Sequence, residues 1–246
     1  MTANIEYPRG IDFDPFDESL RVQDTLVLHG SDAPPQLYVL VGSPCAGKTY
    51  MLKSMMHIFE SRKQFSWGIT FAEPDGFSWM PSKSVRRYDE NYFQNYIKNL
   101  RQKQFERSQK YGQWRMPPNY VVFDDQNGIF TEYQQKFMVT HRQTNTTVFI
   151  LCHQLASRGS SATSLRANTT CTMMWPTTSI SAVKAMYDHC GGKLTYEEFV
   201  QALSACREKQ YSCLCIKTVD QFSPMVGEEI STIVAPTFPE GFQLKF

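Results

Sequence analysis

The run Leu37-Tyr38-Val39-Leu40-Val41, followed by Gly42-Ser43-Pro44-Cys45-Ala46-Gly47-Lys48-Thr49, constrains this chain more than any other feature. The apolar run is too short for a helix and reads as a strand buried on both faces. The glycines after it let the backbone curl until its N–H groups converge on one point. Met51, Leu52, Met55, Met56 and Phe59 then recur at helical spacing. A helix is therefore expected to start at the glycine loop and to aim the positive end of its dipole at the same point. Such a loop binds phosphate oxygens. Lys48 supplies an ammonium for the β- and γ-phosphates, and the Thr49 hydroxyl is a ligand for Mg²⁺. Residues Gly42, Ser43, Pro44, Cys45, Ala46, Gly47, Lys48, Thr49 and Tyr50 are the candidate contacts of a bound ATP. Cys45 has no chemical role that the pattern explains.

Other buried strands come after the loop. Trp67 to Phe71 is a candidate strand, and Glu73 to Lys83, with Pro74, Gly76 and Pro81, reads as a loop. Residues 88–110 carry no proline or glycine and show a helical stripe of Tyr92, Phe93, Tyr96, Ile97, Leu100 and Phe105. Asn119 to Phe123 is a strand that runs into Asp124-Asp125, and Thr147 to Cys152 is a strand that ends at His153-Gln154. Ser157 to Ala162 reads as a Gly/Ser loop and Thr170 to Trp175 as a strand. Two helical patches come next, at 178–189 and 195–208, and Tyr211 to Ile216 reads as the last strand. Strands alternating with helices predict an α/β fold: a mainly parallel β-sheet with helices on both faces. In such sheets ligands sit at the carboxyl ends of the strands, where Gly42, Asp124, Asp125 and Gln154 all fall. The organisation expected is an N-terminal arm over 1–35, with an edge strand at Asp24 to His29, then a P-loop ATPase domain over 36–217 and a surface-wrapping tail over 218–246.

The acids complete the chemistry. An acid at the end of a neighbouring strand holds Mg²⁺ through its water shell, which assigns Asp124 as the metal partner. A second acid beside it can polarise the attacking water, which assigns Asp125 as the base. Gln154 is a candidate for positioning that water. Hydrolysis also needs a cation on the developing γ-phosphoryl charge, and ring ATPases often take it from a neighbouring subunit. Arg142, before the strand at 147, and Arg166, after the Gly/Ser loop, are the two candidate fingers.

Composition narrows the remaining classes. A length of 246 residues suits one large α/β domain, and 41% hydrophobic content is enough to fill its core. Mean hydropathy is −0.40 and no apolar run reaches membrane-spanning length. Met1 to Asp14 lacks the basic and apolar regions of a signal peptide, so none is expected. Seven scattered cysteines without CxxC spacing read as free thiols in a reducing compartment and exclude a structural zinc site. A formal net charge of +1 gives no global sign of nucleic-acid binding, so a basic surface must be local. One candidate exists: Lys83, Arg86, Arg87, Lys98, Arg101, Lys103, Arg107, Lys110 and Arg115 are opposed only by Asp89, Glu90 and Glu106. Interleaved with tyrosine and glutamine, they suit tracking of phosphates without base reading. Asp188 to Lys193 with Glu197-Glu198 superficially resembles a calcium loop, but no register supplies the acids, glycine and final glutamate that an EF-hand requires.

The order and spacing of these motifs carry a resemblance. Gly42 to Thr49, Val121-Val122-Phe123-Asp124-Asp125, His141-Arg142-Gln143 with Thr146-Thr147, Phe149 to Gln154, and Arg166-Ala167-Asn168 resemble the viral genome-packaging ATPases of the FtsK–HerA superfamily. These are the poxvirus-type enzymes shared with other large DNA viruses, virophages and Polinton-like elements. The likeness covers roughly residues 36–216. Where the poxvirus-type motif commonly reads Arg-His with a downstream serine, this chain reads His141-Arg142 with Thr146 and Thr147. Where bacterial relatives usually carry Asp-Glu, it carries Asp124-Asp125. The resemblance implies an ASCE-type, RecA-like P-loop NTPase sheet and a homo-oligomeric ring, a pentamer or hexamer, with double-stranded DNA threaded through its centre. It implies ATP and Mg²⁺ as cofactors, a motif role for Gln154 and a trans-acting finger at Arg142. It also implies a capsid or internal-membrane vertex protein as partner, and a place at sites of virion assembly in the host cytoplasm or nucleus, or in the virion. The competing readings are a P-loop phosphotransferase, which needs an acceptor pocket and usually an arginine-rich lid, and an NTP-gated assembly scaffold.

Overall fold

The computed structural model describes residues 35–111, 116–127, 129–155, 159–190, 194–208, 210–218 and 228–245. Residues 1–34 of the expected arm, with its edge strand, Arg115 of the basic stretch, and the part of the Gly/Ser loop before Gly159 lie outside the described residues.

The chain folds as β1 (Leu37–Val41), α1 (Lys48–Ser61), β2 (Trp67–Phe71), β3 (Val85–Arg86), α2 (Glu90–Tyr111), β4 (Asn119–Gln126), α3 (Glu132–Thr140), β5 (Thr146–Cys152), α4 (Ser160–Asn168), β6 (Cys171–Met174), α5 (Ile180–Cys190), α6 (Tyr196–Ala205), β7 (Ser212–Thr218) and β8 (Glu228–Val234). The strands form one eight-stranded sheet in the order β3-β2-β4-β5-β1-β6-β7-β8. The pairings from β3 through β6 are parallel, and β7 and β8 are added antiparallel. The α/β class with a mainly parallel sheet is thus the observed one.

Side-chain alternation along each central strand divides the core between the two faces. Tyr38 and Leu40 point to one face with Met51, Met55, Phe59 and Phe149, beneath α1. Leu37, Val39 and Val41 point to the other with Phe71 and Phe123 of the neighbouring strands and with Phe93, Phe137 and Phe199, which α2, α3 and α6 bring down onto the sheet. Both faces are covered, so every residue of β1 and β5 is buried. That is why these strands read as unbroken apolar runs rather than as alternating ones.

Several local expectations change. Part of the tail expected to wrap the surface forms a strand: β8 pairs with β7 from Ser212↔Val234 to Thr218↔Glu228, and residues 235–245 then run back along α1, where the Pro236 carbonyl accepts from Ser54 and the Lys245 N–H donates to Glu60. The β8 sequence Ile230-Ser231-Thr232-Ile233-Val234 is rich in β-branched residues, and it finds hydrogen-bond partners on the open edge of β7. The Gly/Ser loop is shorter than expected, because α4 starts at Ser160 once Gly159 (φ 97°) has turned the chain and Ala162 and Leu165 are buried. The segment after Glu73 is not all loop: it makes short 3-10 turns at Pro74–Phe77 and Ser82–Ser84 and then pairs as β3.

At the amino end of β5 the chain is fixed by buried polar bonds. Asn119 Nδ2 donates to the carbonyls of Thr144 (3.0 Å) and Asn145 (3.2 Å), and Thr146 Oγ1 donates to Asn119 Oδ1 (2.7 Å). His141 Nδ1–H donates to the Thr146 carbonyl at 2.6 Å. Burial lowers the pKa of His141 from 6.5 to about 4, and that of His189 equally. Between those values the unfolded chain binds protons that the folded chain refuses. Stability is therefore full above about pH 6.5 and falls toward pH 4, by roughly 1.4 kcal/mol per pH unit for each histidine. Urea unfolding at pH 7, 6 and 5 should show this decline, and His141→Gln should reduce its slope.

Candidate active site

The parallel pairing fixes the site before any side chain is considered. β5 lies between β1 and β4, in register from Leu37↔Val148 to Val41↔Cys152 on one side and from Asn119↔Thr146 to Phe123↔Ile150 on the other. The loop after β1, the acids after Phe123 and the residues after Cys152 therefore emerge together on the carboxyl rim of the sheet.

Sterics explain both glycines of the loop. A Cβ at Gly42 would meet Cβ of Trp175 at 2.8 Å, because β6 passes directly beside the turn. Gly47 has φ 108° and faces Tyr211, and Cys45 adopts a left-handed φ of 59°. The amide of Ala46 bonds the Ser43 carbonyl at 3.2 Å, and that of Met51 bonds Gly47 at 2.9 Å, so α1 grows straight from the loop. No side chain caps the start of α1 and no acid lies in its first turn. Its first N–H groups are free to meet an anion.

Lys48 is buried and folds back over the loop. Its Nζ donates to the carbonyls of Gly42 (2.7 Å) and Ser43 (2.9 Å) and lies 3.3 Å from His153 Nδ1. His153 Nε2 in turn lies 2.6 Å from Asp125 Oδ1. The β4·β5 register breaks between Phe123 and Gln126, and within the break Asp125 has φ 55°. Such a bulge re-aims side chains: it turns the two neighbouring carboxylates onto the same rim. Gln126 fixes the bulge by donating from Nε2 to the Asp124 carbonyl at 2.7 Å.

A cavity of about 430 Å³ lies among these groups, lined by Pro44, Cys45, Gly47, Lys48, Thr49, Tyr50, Glu73, Asp124, Asp125 and His153. Burial pushes the Asp124 carboxyl above the usual carboxylate range and the Lys48 ammonium below its own. Both shifts come from the loss of water around a charge. The opposite charges of Lys48 and the acids offset these costs only in part, because desolvation is the larger cause for both groups. Beside the loop, Tyr50 stacks on Tyr211 with ring centroids 4.4 Å apart, and Phe238 packs on the other side of Tyr50 at 4.9 Å.

Most of the residues expected from the motifs meet here. Lys48, Thr49, Tyr50, Asp124 and Asp125 line the cavity, and Gly42, Ser43 and Ala46 shape the loop around it. Gln154 stands on the same rim but is exposed and outside the lining. Arg142 and Arg166 are not part of this cavity. Arg142 is exposed in the 3-10 turn His141–Thr144, which precedes β5 and so lies at the amino end of the sheet. The seven residues of β5 span roughly 23 Å at about 3.3 Å each. Arg166 is exposed near the end of α4, the helix that returns the chain to the start of β6.

Three residues at the site were not expected. His153 is the first polar residue after its apolar strand, as Asp124 is after Phe123 in β4, and that shared position is the signal that could have found it. Glu73 lies two residues beyond the end of β2 and is held by Arg87, whose guanidinium lies 2.8 Å from its carboxylate. Tyr211 arrives from a turn far along the chain and has no sequence signal.

Neither a protein-family model nor a curated protein sequence matches the chain. Solved structures do match its fold. The genome packaging NTPase B204 of Sulfolobus turreted icosahedral virus 2, in complex with ATP-gammaS, superposes with a TM-score of 0.53 at 15% identity, covering 82% of this chain and 98% of that one. The pCW3 conjugation coupling protein TcpA, with ATPgS, gives 0.55 at 13% identity over 85% of this chain and 61% of that one. The cytoplasmic domain of the Type VII secretion ATPase EccC from Thermomonospora curvata gives 0.55 at 9% identity, covering 86% of this chain but 27% of that one. With its loop, its acids and β5 between β1 and β4, the chain has the α/β P-loop NTPase fold that the packaging NTPase B204 also has.

Proposed function

We propose that this chain is an ATP-hydrolysing motor that moves double-stranded DNA into a viral capsid. The observation that carries the ATPase reading is the single cavity in which Lys48 and Thr49 face Asp124 and Asp125. The viral step is suggested by B204, a genome packaging NTPase whose fold covers most of this chain. TcpA, a conjugation coupling protein, has the same fold and points to DNA as the cargo.

The residues present fit Mg²⁺. Thr49 and Asp124 offer the oxygen donors that a hard cation prefers, and Asp124 is held in a dehydrated place where a cation stabilises its charge. When bound, Mg²⁺ would supply charge neutralisation on the polyphosphate. The loop amides and the α1 N-terminus hold the phosphates, and Lys48 donates to their outer oxygens. Asp125 accepts the proton of the attacking water. Gln154, on the same rim, orients that water once nucleotide is bound.

The arginines divide the labour between subunits. Arg142 stands at the far end of the sheet from its own chain's cavity, on a turn that the Asn119 and His141 bonds hold rigid. A finger at Arg142 would therefore act on a neighbouring subunit's cavity in a head-to-tail ring, with Arg166 as the alternative donor. Helix α2 lies beside the same turn: Arg101 reaches Thr140 Oγ1 at 3.4 Å, and Gln104 Nε2 donates to the Gln143 carbonyl at 2.7 Å. Its exposed Lys98 and Arg101 on one side, and Lys103 and Lys110 on another, are the basic groups offered to DNA. A capsid or vertex protein anchors the ring at the site of virion assembly. Among the described residues no helix is long and apolar enough to cross a membrane.

Lys48→Ala should weaken ATP binding at least about tenfold and abolish hydrolysis, measured by titration and phosphate release. Asp125→Asn should bind ATP while kcat falls by about 100-fold or more. Double-stranded DNA should stimulate the wild type, with the effect weakening steeply as salt rises; a rate indifferent to DNA would remove the motor from the reading. Arg142→Ala should also be inactive alone, by about 1,000-fold. Mixing it with Asp125→Asn should restore turnover, because a ring then contains intact cavities beside intact fingers. Normal turnover by Arg142→Ala alone would transfer the role to Arg166.

A further inference from the structure

Between the phosphate loop and the acids stands a side chain that the mechanism above does not use. His153 touches both sides of the cavity: its Nδ1 lies 3.3 Å from Lys48 Nζ, and its Nε2 lies 2.6 Å from Asp125 Oδ1. An ammonium only donates and a carboxylate only accepts. The ring therefore accepts at Nδ1 and donates at Nε2, and one neutral tautomer satisfies both bonds.

The donors of Lys48 are all committed. The ammonium has three N–H bonds to offer, and in this conformation they meet the carbonyls of Gly42 and Ser43 and the ring of His153. A phosphate oxygen that takes a Lys48 proton must displace one of these partners. The two carbonyls belong to the loop that wraps the phosphate. His153 sits beyond a different strand, makes the longest of the three contacts, and is the partner that can be exchanged without unwinding the loop. Once Lys48 has turned to phosphate, His153 still grips Asp125 through Nε2. That bond leaves the carboxylate's second oxygen for water.

We infer that His153 is a positioning residue that competes with nucleotide phosphate for the Lys48 ammonium while it orients the Asp125 carboxylate. The inference rests on the ATPase reading above and assigns its site a coupling element. Binding at the loop is thereby linked to the acid on β4 through a single imidazole, with no movement of the backbone required.

The two halves separate by substitution. In His153→Asn the amide reaches the place of Nδ1 but has no atom at Nε2, so the hold on Lys48 remains and the hold on Asp125 is lost. In His153→Gln the amide reaches the place of Nε2 and leaves Nδ1 without a replacement. The His153 side chain is 35% exposed, so neither amide disturbs the core. Affinity is read by titrating a fluorescent ATP analogue in EDTA, and kcat is read at saturating Mg·ATP. His153→Gln should bind the analogue about 3- to 10-fold more tightly than the wild type. His153→Asn should bind it like the wild type and show a kcat at least about tenfold below that of His153→Gln. Misfolding would move both variants together and cannot produce this opposition. Equal changes in the two variants, or no change in either, would overturn the assignment. Failure of the wild type to bind or hydrolyse ATP would instead overturn the ATPase reading itself, which the same titration reads separately.

Discussion

The parallel pairing of β4, β5 and β1 is the constraint on which the rest depends. Three apolar strands, buried on both faces, have no choice but to satisfy their backbone groups on one another. Running in one direction, they end on one rim, and the residues just beyond each strand form one wall of a cavity. The phosphate loop, the acid pair and His153 are neighbours for that reason alone. Helices on both faces exclude water from the sheet and leave the rim as the place where charge can stand.

Charge at that rim is held at a cost that a ligand can offset. Asp124 and Lys48 are both partly stripped of water, and each has its ionisation disfavoured for that reason. The loop gives the lysine two carbonyls, the residue after β5 gives it an imidazole, and the bulge turns Asp125 into a left-handed backbone conformation. A non-glycine residue in that region stores strain of order 1–3 kcal/mol. The surrounding bonds of Gln126 and His153 maintain it. Strain and desolvated charge of this kind are the features of a site kept for binding a ligand rather than for its own stability.

The opposite rim has a different physics. There, Asn119, Thr144, Asn145 and Thr146 satisfy one another in a buried polar knot, with His141 kept neutral by burial. The knot fixes the turn that carries Arg142 and abuts the basic helix α2. A rigid turn with an exposed arginine suits contact with another molecule, as a finger must make. In the proposed ring, one rim of each subunit would then face the other rim of the next.

The sequence alone determined the fold class and one wall of the cavity. Gly42 to Thr49 dictates its own loop by sterics and hydrogen bonding that are local, and unbroken apolar runs announce doubly covered strands wherever they occur. Helices α1 and α2 were legible for the same reason: their periodicity is a short-range property. Strand β8 was not, because a short β-branched segment becomes a strand only when an edge such as β7 is there to receive it. Nor were Glu73, Tyr211 and the grip of His153 on Lys48 and Asp125, which join residues 105 and 28 positions apart. Those contacts depend on strand order and on a bulge in β4. Strand order and bulge alike are set by how the whole sheet closes its hydrogen bonds, which no stretch of sequence specifies by itself.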